Sequence, residues 1–257
     1  MTLPLLRSKL FPARFSHGFT ERAGGVSVAP YDTMNVGFKW GDDPLAVIEN
    51  RRRVLAASGA RTLFFAKQVH GCDVAVVAED SQPETFATKE ADATMTTLPG
   101  VAVAVIVADC VPLLLADPVT GACAAVHAGW RGTVANVAGR AVERLQLFAG
   151  ADPRDLIAVL GPSIGPCCFE VGEDVVAGLT HCLPESSDLL KEGPKGRPHA
   201  DLWQANVALL VRAGLGKSNI DVLGQCTHCQ PQRFFSFRRD SSLTGQMLGF
   251  VADIPID

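Results

Sequence analysis

The residues of this chain best suited to chemistry are His70, Cys110 and His127. Each lies where an apolar run gives way to polar residues, in QVHG (68–71), ADC (108–110) and HAGWRG (127–132). Functional groups at strand ends, facing a cleft, are the usual arrangement in sheet-based enzymes. Two imidazoles and one thiolate suit zinc and leave a fourth position for water or substrate. A zinc ion there would make a nucleophile of water near neutral pH. The residues alone leave other readings open. Cys110 with His127 as its base would be a nucleophile pair of the cysteine-hydrolase kind. Two His and one Cys also match a trigonal copper site. The plainest reading is two turn histidines and one core cysteine. A multicopper oxidase needs coupled, imidazole-rich centres with on the order of ten His, whereas the whole chain has six.

Several other polar residues admit both a structural and a functional role. Arg22, Ser27 and Asn35 flank Gly24-Gly25 in TERAGGVSVAPYDTMNVG (20–37). That loop lacks the spacing of a P-loop or dinucleotide fingerprint, so it is either a flexible turn or an anion or ribose cradle. Arg238 and Arg239 are either a solvated edge or an anion clamp. Arg131 is a further candidate for an anion or ribose contact. Glu170 is either a first-turn acid favouring a helix dipole or a proton carrier. Cys226 and Cys229 form a C-x-x-C, which suits redox chemistry or half a zinc site. The complement on offer, Cys167-Cys168, is a pair of adjacent cysteines and a poor second knuckle. These four are expected to pack rather than bind metal.

The elements that must position these groups alternate between strands and helices. Strands are expected over 74–77, 101–107, 113–116, 123–126, 156–160, 220–223, 234–238 and 247–252. Helices are expected over 44–57, 133–148, 171–179 and 202–213, the first capped by Asp43 with Pro44 at its first position. Residues 184–198 read as a surface loop. Strands adjacent in sequence, mixed with helices, argue for an α/β domain with a mixed sheet rather than a βαβ repeat. One domain spanning 1–257 is expected.

Composition bounds the rest. Of 257 residues, 47% are hydrophobic and 19% charged, with 23 Lys and Arg against 27 Asp and Glu. That balance excludes disorder and offers no basic footprint for nucleic acid or an anionic membrane. The longest apolar run, 101–108, is too short to span a bilayer. The N-terminal stretch does not read as a signal peptide. A cytoplasmic protein is therefore expected, with its eight Cys reduced.

Six segments together resemble one family. They are TERAGGVSVAPYDTMNVG, QVHG, ADCVPLLLAD, HAGWRGT, GPSIGPCCFEVG and CTHCQPQRFFSFRRD, in order along nearly the whole chain. They are similar to the YfiH-like family, also called the laccase-domain, polyphenol-oxidase or peptidoglycan-editing-factor family. The resemblance implies a compact α/β fold in one domain and zinc held by His70, Cys110 and His127, with copper the older assignment. It implies phosphorolysis of adenosine, inosine, guanosine or methylthioadenosine, and adenosine deamination, with purine nucleosides and phosphate as small-molecule partners. Action on peptidoglycan precursors, by zinc-bound water or a Cys nucleophile, and copper-dependent polyphenol oxidation are the alternatives it carries. Relatives commonly have Arg after the Thr-Gly pair where this chain has Gln246. Zinc nucleobase deaminases place a Glu two residues after the ligand His, but here those positions are Cys72 and Gly129. Glu170 is left as the nominee for proton transfer.

Overall fold

Successive strand residues face opposite sides, and the run 101–107 shows what that does here. In the computed structural model, which describes residues 3–255, Val101, Val103 and Val105 enter one apolar cluster. Ala102 and Ala104 enter another. A strand buried on both faces must lie between two layers, and the architecture follows from that.

The strands are Leu5–Leu6 (β1), Phe15–Thr20 (β2), Thr62–Phe64 (β3), Val74–Val77 (β4), Ala93–Thr96 (β5), Val101–Val107 (β6) and Val111–Ala116 (β7). Cys123–Ala128 (β8), Ile157–Leu160 (β9), Leu190–Glu192 (β10), Pro198–Ala200 (β11), Ile220–Val222 (β12) and Met247–Asp253 (β13) follow. The helices are Pro44–Ser58 (α1), Pro83–Phe86 (α2), Trp130–Val134 (α3), Val137–Ala149 (α4), Glu173–Cys182 (α5), Leu202–Arg212 (α6) and Phe237–Asp240 (α7). One sheet has the order β1-β2-β13-β6-β3 and the other β12-β9-β7-β8-β5-β4. Both are mixed: β6 runs parallel to β3 but antiparallel to β13, and β9 runs parallel to β12 but antiparallel to β7.

The two sheets face each other. Phe15, Phe19 and Val103 of the first meet Leu114, Ala125 and Val159 of the second. On the outer side of the first sheet, Ala104 and Phe250 pack with Val54 of α1. On the outer side of the second, Leu113, Leu115 and Val126 pack with Val142 of α4 and Leu209 of α6. The result is a four-layer α/β domain, helix–sheet–sheet–helix. Leu114 is wholly buried between the sheets. Leu114→Ala is expected to cost roughly 2–5 kcal/mol, read as a lower urea midpoint with an unchanged slope.

Most expected elements are present, and three differ. The helix expected over 133–148 is two helices, because Asn136 takes a left-handed φ of 60° between α3 and α4 and caps α4 through Gly139 N–H. Asn is among the few residues that tolerate this conformation. The segment 234–238 is not a strand. Phe234 and Phe235 are buried in irregular backbone, and Ser236 then caps α7, its hydroxyl accepting from Arg239 N–H at 3.3 Å. The expected loop 184–198 contains β10, which pairs antiparallel with β11. Asp43 caps α1 as expected, accepting from Leu45 N–H at 2.9 Å. Among the described residues no helix is long and apolar enough to cross a membrane.

Candidate metal centre and cavity

The chain passes from the first sheet to the second through Ala108-Asp109-Cys110, between β6 and β7. So short a crossing forces the backbone: Asp109 has φ 86°, a region that few residues besides Gly, Asn and Asp adopt. Asp109 is held there from three directions. Its carboxylate accepts from the Thr227 hydroxyl at 2.5 Å and from Arg238 N–H at 2.6 Å, and its carbonyl accepts from Ile164 N–H. This fixes Cys110 at the sheet edge. His127 arrives there as the fifth residue of β8, and His70 from a turn with φ 63°.

The ligand atoms of His70, Cys110 and His127 lie within 4.8 Å of one another. The two imidazoles are edge to face, with ring centroids 4.9 Å apart. Gly129 follows closely on His127, and a Cβ there would lie 2.9 Å from Cys110 Sγ and 3.2 Å from His70 Cδ2. The missing side chain at Gly129 thus leaves room for Cys110 and His70. This donor set can hold a metal ion.

Asp92 organises the centre, and sequence reasoning misses it. It is buried at the entrance to β5. Its Oδ1 accepts from His127 Nδ1–H at 2.7 Å, which leaves His127 Nε2 free for a metal. The same carboxylate accepts from the backbone N–H groups of Val69, His70 and Gly71, clamping the strained His70 turn. Asp92 lies directly before the fully buried stretch Ala93–Thr96, where only a satisfied carboxylate is tolerable, but nothing in the sequence marks it.

Electrostatics prepare the donors. Burial pushes the Cys110 thiol up, but the imidazoles of His127 and His70 outweigh it and bring it down to about 6. Burial pushes His127 down, but the Cys110 thiolate and Asp92 outweigh it and raise it to about 9. Burial pushes Asp92 up, yet His127 and the turn N–H donors leave it below its ordinary range. Asp92→Asn is expected to weaken metal binding about 10- to 100-fold with the fold intact, measured by competition against a chelator.

The centre opens into a cavity of about 580 Å³. Among its lining residues are Phe38, Lys39, Trp40, Arg51, Phe237 and Gln246, beside the three donors. Trp40 and Phe237 stack with centroids 5.3 Å apart. Arg51 sits between Phe38 and Phe65, 4.4 Å from each ring centroid, and donates to Val36 O at 2.7 Å. Burial lowers its guanidinium to about 10. No carboxylate pairs with it among the described residues. A larger cleft, about 840 Å³ between residues 3–7 and α1, holds none of these donors.

The other sequence-selected residues are not brought to the cavity wall. Arg22 pairs with Asp32 at 3.0 Å, donates to Pro231 O and lies over the Phe235 ring, bracing the glycine-rich loop. Asn35 is buried and acts from behind the wall, bonding Gly37 and Gln246 N–H. Arg131 lies over Trp130 and Arg238 over Phe169. Glu170 pairs with Arg197 at 2.6 Å at the surface, and that partner depresses its carboxyl. A depressed carboxyl is poorly suited to carrying a proton near neutral pH. Gln246 does line the cavity. The four cysteines expected only to pack are instead gathered in one cluster.

A mixed two-sheet α/β domain with a His-Cys-His donor set at the sheet edge defines a class of protein whose centre can hold a metal ion. The model of the multi-copper polyphenol oxidoreductase laccase family matches residues 16–253, and the chain belongs to that family. It is 43% identical over 251 residues to a purine nucleoside phosphorylase of Deinococcus radiodurans, covering 97% of this chain and 92% of that protein. It is 37% identical over 236 residues to purine nucleoside phosphorylase YfiH of Escherichia coli, covering 90% and 91%. The crystal structure of YlmD from Geobacillus stearothermophilus superposes with a TM-score of 0.89 at 35% identity, covering 96% and 94% of the chains.

Proposed function

We propose that this chain is a zinc-dependent purine nucleoside phosphorylase that also deaminates adenosine at the same centre. One observation carries the reading. A His-Cys-His donor set, a half-buried guanidinium with no carboxylate partner and an aromatic pair line one cavity. Purines need an aromatic platform, phosphate needs a cation, and the two must meet at the sugar.

In phosphorolysis a phosphate oxygen bonds to the ribose anomeric carbon as the bond to purine N9 breaks. Charge develops on the sugar, so placing the anion beneath it is the main catalytic task. Arg51 and Lys39 supply the cations for phosphate. Phe38, Trp40 and Phe237 supply flat apolar surface for the base. When bound at His70, Cys110 and His127, zinc supplies Lewis-acid polarisation and, for deamination, activates water. Asp92 holds His127 in the required tautomer throughout. Inosine, guanosine, adenosine and methylthioadenosine are the proposed substrates. Zinc rather than copper is the proposed metal, since two His, one Cys and an open position suit zinc and no coupled imidazole-rich cluster of the multicopper kind is present among the described residues.

The test is release of free base from inosine and adenosine, with and without phosphate, on protein of known metal content. Phosphate-dependent release is expected. Zinc-replete protein inert on all four nucleosides would sink the proposal. Turnover of a peptidoglycan precursor by that same sample would point to the cell-wall alternative.

A further inference from the structure

The cysteines outside the first centre are not scattered. β9 and β12 are parallel neighbours, so the segments that follow them leave the sheet at one edge. The pairing continues beyond the strands: Ser163 N–H donates to Gln225 O at 3.1 Å, and Thr227 N–H donates to Ser163 O at 3.0 Å. This register carries Cys167-Cys168 and Cys226-x-x-Cys229 to the same place. Gly165 completes the approach. A Cβ there would lie 2.8 Å from the Trp203 ring and 3.3 Å from Cys226 Cβ.

All four Sγ atoms lie within 4.8 Å of one another. Cys229 Sγ is 3.6 Å from Cys167 and 3.3 Å from Cys168. A disulfide needs sulfurs about 2.05 Å apart, and all four cysteines are free thiols. The edge of a tetrahedron of thiolates around zinc, with bonds near 2.3 Å, is about 3.8 Å. The separations of 3.3 and 3.6 Å fall within about half an ångström below that value. Gly165 N–H donates to Cys226 Sγ at 3.3 Å, as backbone N–H groups do to metal-bound thiolates. Cys226 is buried while Cys167 and Cys229 are exposed, which leaves an entry path from solvent.

We infer that Cys167, Cys168, Cys226 and Cys229 form a second, structural site that binds one thiophilic tetrahedral cation of the zinc type. With four protein ligands the site is closed, unlike the open three-ligand centre. Its ion clips the loop after β9 to the loop after β12. The second loop carries Thr227, whose hydroxyl holds Asp109 beside Cys110. The clip therefore steadies the crossing on which the first centre is built. The site stands on its own geometry and does not depend on the enzymatic reading.

The experiment counts zinc per chain in the full-length protein and two variants. Two ions are expected in the unmodified chain. One is expected to remain in Cys110→Ala/His127→Ala, and one in Cys226→Ser/Cys229→Ser. Cobalt loaded into Cys110→Ala/His127→Ala should give the intense visible bands of a tetrahedral thiolate site. In that same variant, which leaves the cluster untouched, bound zinc should shield Cys167 and Cys229 from alkylation until a chelator removes it. The inference is overturned if the variant holds no ion, or if these cysteines alkylate at the same rate with and without zinc. It is equally overturned if mass spectrometry of freshly isolated protein finds them joined as disulfides. Neither the ion count in Cys110→Ala/His127→Ala nor the alkylation rate in that variant requires nucleoside turnover. The ion count and the alkylation readout are therefore separable from it.

Discussion

Cys110→Ala is expected to abolish phosphate-dependent release of purine, lowering turnover by about a thousandfold or more, because a metal centre contributes several kcal/mol to stabilising developing charge. His127→Ala should do the same. Each removes a donor from a set whose atoms lie within 4.8 Å of one another, and a three-ligand site does not survive as two. Zinc analysis decides the cause. Metal and activity should be lost together. Lost activity with full metal content would mean that Cys110 acts as a nucleophile, and unchanged turnover would remove the centre from the chemistry altogether. The pH dependence of metal binding gives an independent check. Zinc needs the Cys110 thiolate and a neutral His127. Without metal, Cys110 loses its proton near 6 and His127 near 9. Between those values one proton, on His127, must leave when metal binds, so zinc affinity should rise about tenfold per pH unit. Below about 6 Cys110 also carries a proton that must leave, and the slope should steepen. Above about 9 the pair contributes no further slope. A flat affinity from pH 6 to 9, measured by titration against a chelator, would contradict the thiolate–imidazolium pairing.

Much of the fold is legible in the sequence because its cues are local. The run Val101–Val107 and the helix beginning at Pro44 follow from periodicity and a capping residue, and both lie where those cues put them. The failures are places where tertiary burial outweighs local pattern. Phe234 and Phe235 read as strand residues, but they are drawn into the core as single anchors and Ser236 then starts a helix. The donors His70, Cys110 and His127 can be nominated from residue type and position. Their mutual distance cannot, since it depends on a crossing between two sheets. Asp92 is invisible for the same reason: a carboxylate that serves three N–H groups and one imidazole carries no spacing signature. The cysteines at 167, 168, 226 and 229 mislead because a vicinal pair looks like a poor knuckle in sequence. The parallel pairing of β9 with β12 brings the second pair to it regardless.

Arg51 hides in a run of three arginines, Arg51-Arg52-Arg53, that resembles a solvated helix face. The spacing tells otherwise: Val47, Asn50 and Val54 are among the buried residues of α1, and Arg51 falls on their side. Arg52 and Arg53 pair with Glu49, while Arg51 is tucked between two phenylalanine rings with a carbonyl as its hydrogen-bond partner. A half-buried guanidinium without a counter-charge is partly desolvated, and an anionic substrate resolves that cost. Arg51→Met is therefore expected to raise the KM for phosphate about 100-fold, in line with the ≈ 1.5–3 kcal/mol typical of a charged hydrogen bond. Adenosine deamination, which consumes no phosphate, should change little in the same variant. The folded state should change little in stability, because Met keeps the apolar packing between the two rings, and relief of a half-buried charge offsets the lost bond to Val36 O. That combination separates a phosphate contact from a structural role. A structural Arg51 would lower the urea midpoint and slow both reactions together, whereas a phosphate contact slows one reaction and leaves the midpoint in place.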